Sequence, residues 1–144
     1  MEILIVIFVV FIDQFSKYLA VKYLMPIGNF PVIKNFFYLT YVENKGAAFG
    51  ILQNKTIFFI IITVFVGLIL IYSMIKLPEN SLYNYTLAMI LGGAIGNLID
   101  RVRLGYVVDF INFKFFPAVF NIADSFIVVG AIILGYLIIF RSKA

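Results

Sequence analysis

The chain has 144 residues, of which 64% are hydrophobic and only 12% charged, with a formal net charge of +4 and a mean hydropathy of +1.10. A soluble domain of this size is about half apolar and a quarter charged, so much of this surface must face lipid, and the length fits one domain over 1–144. Cysteine, histidine and tryptophan are absent, which excludes disulfides, thiol nucleophiles, zinc sites built on His or Cys, and Ser-His-Asp triads.

A first apolar stretch, 3–20, approaches the length needed to cross a bilayer and is interrupted by Asp13 and Lys17. Its flanking charge is Glu2 rather than a basic cluster, and no A-x-A site follows, so it reads as a retained span and not a signal peptide. Residues 21–55 form a long connection in which Phe36 to Val42 is aromatic and β-branched, as strands prefer. The span 56–75 carries no charge. Residues 76–82, with Pro78, Glu79 and Asn80, read as a short polar turn.

The third span, 82–100, holds Gly92 and Gly96 at G-x-x-x-G spacing, and the fourth, 121–140, repeats that spacing with Ala131 and Gly135. Such pairs let helices approach closely in lipid, and helix packing is the expected role. Between these spans, Tyr106-Val107-Val108 is a second short strand candidate. The expected fold is an all-α membrane protein of four transmembrane helices with a small β element at the membrane surface. The mild positive charge has no basic run and suits lipid headgroups, not nucleic acid.

Because spans alternate direction, the connections 21–55 and 101–120 share one side of the membrane. Asp13 lies about 15 Å along the first helix and so belongs to the half nearer that side. Asn97 and Asp100 end the third span there, Asn121 and Asp124 open the fourth, Asp109 lies between, and Asn44 precedes the second span. All four aspartates therefore converge at one membrane face. A carboxylate inside a span is costly and marks function by default.

Five segments in order carry a specific pattern: Asp13-Gln14-Phe15-Ser16-Lys17, Asn44-Lys45-Gly46-Ala47-Ala48-Phe49, Gly93 through Arg101, Val107-Val108-Asp109-Phe110, and Phe120 through Ser125. With these the chain resembles the lipoprotein signal peptidases, or signal peptidase II, over essentially its whole length. The resemblance implies a globomycin-sensitive membrane aspartyl endopeptidase of the bacterial cytoplasmic (inner) membrane. Such an enzyme acts on prolipoproteins and cuts on the amino side of a diacylglyceryl-modified cysteine. It implies Asp109 and Asp124 as the catalytic pair, no metal or cofactor, a monomer, and an active site toward the extracytoplasmic face.

Charge environment independently favours that pair over Asp100. Asp109 sits among Val107, Val108, Phe110 and Ile111, which raises its pKa, whereas Arg101 and Arg103 keep Asp100 ionised. Two unit charges about 4 Å apart interact by roughly 4 kcal/mol at an effective dielectric near 20, enough for a carboxylate pair to retain one proton near neutrality. Asp100 and Arg101 are expected to form a partly buried ion pair, either bracing the site or purely structural. Asn121 lies one turn before Asp124 and either orients it or caps the helix.

Asn44, Gly46, Ala47, Ala48 and Phe49 read as substrate-groove residues or as a tight turn. Asn97 reads as helix–helix contact or site support. Asp13 and Lys17, four apart on one helix face, either neutralise each other or order the site or a lipid headgroup. The aromatic stretch Phe36 to Tyr41 suits surface packing better than a ligand site. Counting Lys and Arg places three (Lys76, Arg141, Lys143) at the terminal side and eight at the other, the reverse of the positive-inside pattern for the implied orientation. Two other classes remain at this stage. A proton conductor would spread carboxylates across membrane depth, and a non-catalytic scaffold would not need them.

Overall fold

The computed structural model describes residues 1–46, 52–78 and 81–141. Four helices are long and apolar enough to cross a membrane: α1 (Glu2–Leu19), α2 (Thr56–Lys76), α3 (Leu82–Leu104) and α4 (Ile122–Tyr136). A π-helical turn, Ala20–Leu24, prolongs α1, and another, Leu137–Arg141, prolongs α4. The third helix runs four residues past the expected end at 100. It stops where Gly105 adopts φ 82° and donates its N–H to Arg101 O, the left-handed ending that glycine allows without strain. Asp100 and Arg101 are therefore helical residues rather than terminal ones.

At one end of the bundle lies an antiparallel sheet in the order β1 (Asn29–Ile33), β2 (Phe37–Asn44), β3 (Val107–Phe113), β4 (Val119–Phe120). Both expected strand segments are present, as β2 and β3, each longer than its sequence signal. The first strand is an addition to the expected pair, inside the long connection 21–55, and it carries Pro31. It is an edge strand with an irregular register after Pro31, where a missing N–H is tolerated. Val42 pairs with Asp109 in the β2–β3 ladder, so the register places Asn44 and Asp109 at the helix-proximal end.

The helices hold together through α3. Its face of Leu87, Ala88, Leu91, Gly92, Gly93 and Gly96 is buried, while α2 keeps only Gly67 fully buried and leaves most of its residues exposed. A Cβ on Gly92 would meet Val9 Cβ at 2.8 Å, and one on Gly96 would collide with the Asp13 carboxylate. The G-x-x-x-G pair thus seats α1 against α3, as its spacing suggests. On α4 the expected pair is not the contact. Nothing lies within 4 Å of a Cβ on Gly135, whereas one on Gly130 would meet Ile90 Cγ1 at 2.8 Å. One residue is about 100° of helix rotation, so the packed stripe passes through Gly130 and leaves Ala131 exposed. The short turn between α2 and α3 is closed by Asn84, whose Nδ2 donates to Met74 O and Pro78 O.

These contacts separate two glycines five residues apart on one helix. Gly130→Ala should destabilise the protein by about 1–3 kcal/mol through overpacking. Gly135→Ala should be neutral or stabilising by about 0.5–1 kcal/mol, from the helix preference of Ala over Gly. Thermal unfolding of the two variants in detergent checks the contrast.

Candidate active site

The site begins with a buried ammonium. Lys17 and Asp13 are one turn apart on the same face of α1, and Lys17 Nζ lies 2.9 Å from Asp13 Oδ2. The same nitrogen lies 3.1 Å from Asp100 Oδ2 and donates to Asn97 Oδ1 at 3.0 Å. Asp13, Lys17 and Asp100 are almost wholly shielded, at 0%, 3% and 4% exposure. Such a charge group is tolerable only when further hydrogen bonds complete its shell, and here every carboxylate oxygen has a partner. Asp13 Oδ1 accepts from the Ala123 N–H and Asp100 Oδ2 from the Val108 N–H. The Gln14 amide donates to both carboxylates and to Gly96 O.

Asp100 therefore pairs with Lys17, not with Arg101 as expected. Neighbouring residues on a helix point about 100° apart, so the face that turns Asp100 toward α1 turns Arg101 elsewhere. The Arg101 guanidinium carbon sits 5.1 Å from the Phe59 ring centroid on α2, and Arg101 lines the cavity described below.

A second layer is built from amides oriented by the first. Asn97 Oδ1 accepts from Lys17 and from Asn121 Nδ2 at 3.1 Å, which leaves its Nδ2 to donate to Asp124 Oδ1 at 2.7 Å. Asn121 Nδ2 also donates to Asp109 Oδ1 at 2.6 Å, and Asn44 Nδ2 donates to Asp109 Oδ2 at 2.9 Å. Asn121 is at once the N-cap of α4. Its Oδ1 accepts from the Asp124 N–H at 2.9 Å, while Asp124 Oδ2 accepts from the Asn121 N–H at 3.3 Å, the reciprocal arrangement of a capping box. Asn121 thus caps α4 and holds Asp109 with one side chain, and Asn97 joins α3 to α4 while it holds Asp124.

Asp109 and Asp124 line a common cavity of about 530 Å³ with Asn44, Gly46, Asn97 and Arg101, and with an apolar wall that includes Phe116, Val119 and Val128. Asp109 is 1% exposed. Burial raises its pKa to about 7, and the negative charge of Asp124 pushes the same way. The amides of Asn44 and Asn121 and the charge of Lys17 oppose the rise. The pair can thus retain a proton near neutrality. Among the described residues no group of three or more His, Cys, Asp or Glu is placed to hold a metal ion.

All four aspartates and the three asparagines converge as the span arithmetic suggests. Gly46 is buried, lines the cavity and donates its N–H to Asn44 Oδ1 at 3.0 Å, the local bond of a tight turn. Ala47, Ala48 and Phe49 lie outside the described residues. Gln14 was absent from the sequence-derived candidates. Its signal was available, since an amide inside an apolar span needs a partner.

Comparisons with known proteins agree over nearly the full chain. The family model described as signal peptidase (SPase) II matches residues 5–140. The lipoprotein signal peptidase of Caldanaerobacter subterraneus subsp. tengcongensis is 85% identical over 141 residues, covering 98% of this chain and 97% of that one. The one from Moorella thermoacetica is 50% identical over 133 residues, covering 92% and 88%. Two solved structures described as a bacterial membrane enzyme determined by the in meso method, at 2.3 and 1.9 Å resolution, are each 40% identical. They superpose with TM-scores of 0.87 and 0.86, covering 99% and 96% of this chain and 89% and 92% of theirs. With its four spans, its end-on sheet and a match running from residue 5 to residue 140, this multi-pass membrane protein belongs to the signal peptidase II family.

Proposed function

We propose that this protein is an aspartyl endopeptidase that removes the signal peptide from prolipoproteins, cutting on the amino side of the diacylglyceryl-modified cysteine. The observation that carries the reading is the placement of Asp109 and Asp124 in one cavity, each held by a side-chain amide and linked through Asn97 and Asn121. The family match supports the substrate class.

The chemistry follows from one proton shared by two carboxylates. The ionised member takes a proton from a water, whose oxygen attacks the scissile carbonyl carbon. The protonated member donates a hydrogen bond to the carbonyl oxygen and stabilises the developing negative charge. Collapse of the tetrahedral intermediate breaks the C–N bond, and a carboxyl proton passes to the leaving amine. The dyad titrates as a unit, so neither residue is assigned the proton beforehand. Arg101 and the backbone near Gly46 border the space the peptide would cross. The apolar wall reaching down α4 suits a substrate whose acyl chains and signal helix stay in the bilayer, and a monomer carries every residue the reading needs.

The site end of the bundle is taken to face the extracytoplasmic side. Of the eight basic residues that speak against this by simple count, Lys17 is neutralised inside the bundle and Arg101 faces the carboxylate cavity. Neither is a free loop charge of the kind the positive-inside pattern counts. A carboxy-terminal reporter active only outside the cell would reverse the assignment.

Two predictions test the dyad. Asp109→Asn and Asp124→Asn, purified and folded, should each lower conversion of a diacylglyceryl-modified prolipoprotein by at least about 10²–10⁴-fold, the typical contribution of positioned acid–base groups. Conversion unchanged in either variant would defeat the reading, and resistance of the parent protein to globomycin would count against it.

The second concerns pH. Asp109 binds its proton more tightly in the folded protein, near 7, than in the unfolded chain, near 3.8. Folded protein therefore holds the extra proton between those values, and stability falls as pH rises through that window. Asp109→Asn should flatten this loss and raise the melting temperature at pH 8, while the parent enzyme's activity should fall above about pH 7. Melting curves from pH 4 to 8 and a pH–rate profile provide the checks.

A further inference from the structure

Side chains alternate across a strand, and in β3 that alternation separates two cavities. Val107 and Asp109 face the carboxylate cavity. Val108 and Phe110 face the other way, into a core with Ala20 and Leu24 at the end of the first span. Phe110 also forms one wall of a second cavity of about 390 Å³, bounded by Leu19, Tyr23 and Leu24 from the first span, Phe30 of β1 and Leu39 of β2. That volume lies within the range of ligand pockets, roughly 300–1,000 Å³. Its walls are almost wholly apolar. The one hydroxyl from α1, Ser16 Oγ, is already committed to Asp13 O at 2.8 Å.

The groove offers no donor or acceptor set for a polar ligand. It sits where the span Glu2–Leu24 ends, the depth at which the glycerol region of a bilayer begins. A cation lies beside one of its walls, against the ring of the lining residue Tyr23. Lys22 Nζ lies 5.0 Å from the Tyr23 ring centroid and 5.9 Å from that of Tyr18, and no lining residue carries a charge. Apolar walls at the end of a span, with a cation against the Tyr23 wall, complement one acyl chain with an anionic headgroup.

We propose that this groove binds one acyl chain of an anionic glycerophospholipid from the surrounding bilayer, with its phosphate against Lys22. The occupant is a membrane lipid and not the substrate's own acyl chain. If Asp109 and Asp124 are the catalytic pair, a chain tethered to the cleaved residue lies on the opposite side of β3. The bound chain packs behind Phe110, next to Asp109 in sequence, and so supports the strand that carries the carboxylate.

The absence of tryptophan from the chain makes a single introduced indole a clean reporter. Tyr23→Trp protein is reconstituted in vesicles doped with acyl-brominated phosphatidylglycerol or acyl-brominated phosphatidylcholine. Ile132→Trp, on an exposed position of α4, serves as the ordinary lipid-facing control. Quenching at Tyr23→Trp should reach half its maximum at about five-fold lower mole fraction of the anionic lipid, the worth of one lysine near an anionic surface. The control should not discriminate. Lys22→Gln in the Tyr23→Trp background should erase the preference, and since Lys22 is exposed the fold is not at stake. Equal quenching by the two lipids at Tyr23→Trp would overturn the proposal, as would a preference that survives Lys22→Gln. Recovery of fluorescence on adding a diacylglyceryl-modified peptide would assign the groove to substrate and overturn it equally. Quenching requires no turnover, so a failed peptidase assay would leave this result standing.

Discussion

Everything at the open end of this bundle depends on one ammonium group held out of water. Lys17 Nζ touches Asp13, Asp100 and Asn97 within 3.1 Å. A charge in that position is tolerated because two carboxylates meet it and three further donors finish the carboxylate shells. Those donors come from Gln14 on α1, the Val108 N–H on β3 and the Ala123 N–H on α4. Four elements far apart in sequence are thus fastened at one point. Polar attraction does here what the hydrophobic effect cannot do between helices already surrounded by lipid.

The orientation of the site follows from that point by hydrogen-bond logic. A donor on Asn97 Oδ1 fixes which way the amide turns, and its Nδ2 must then face Asp124. Asn121 repeats the device toward Asp109 and begins α4 with the same atoms. The residues that start the fourth helix therefore also set the spacing and proton affinity of the carboxylates. A helix cap and a carboxylate hydrogen bond are not rival explanations when one side chain makes both.

The sheet adds a different constraint. Asp109 lies on a strand whose next residue packs against the end of the first span, so its position is fixed from the lipid side as well as from the bundle. Bringing a carboxyl to 1% exposure beside a second acid requires rigid backing, which the ladder with Val42 and Asn44 supplies from β2.

Much of this was legible in the sequence. Four long apolar stretches dictate four spans, because a backbone in lipid must satisfy its own hydrogen bonds. Alternation of the spans then brings Asp13, Asp100, Asp109 and Asp124 to one face with no further information. The β-branched and aromatic runs mark two strands. Side-chain partnership was not legible, because it depends on helix rotation and register rather than on order along the chain. Adjacent charges suggested Asp100 with Arg101, yet rotation about α3 gives Asp100 to Lys17. Spacing suggested Ala131 and Gly135, yet the packed stripe runs through Gly130. The long connection 21–55 also held an edge strand, and only packing brings the Gln14 amide to its three acceptors. The sequence alone determined which groups share a membrane face, since that follows from length and polarity. Only the tertiary structure decided which of them touch, since a rotation of one residue redirects every contact on a helix.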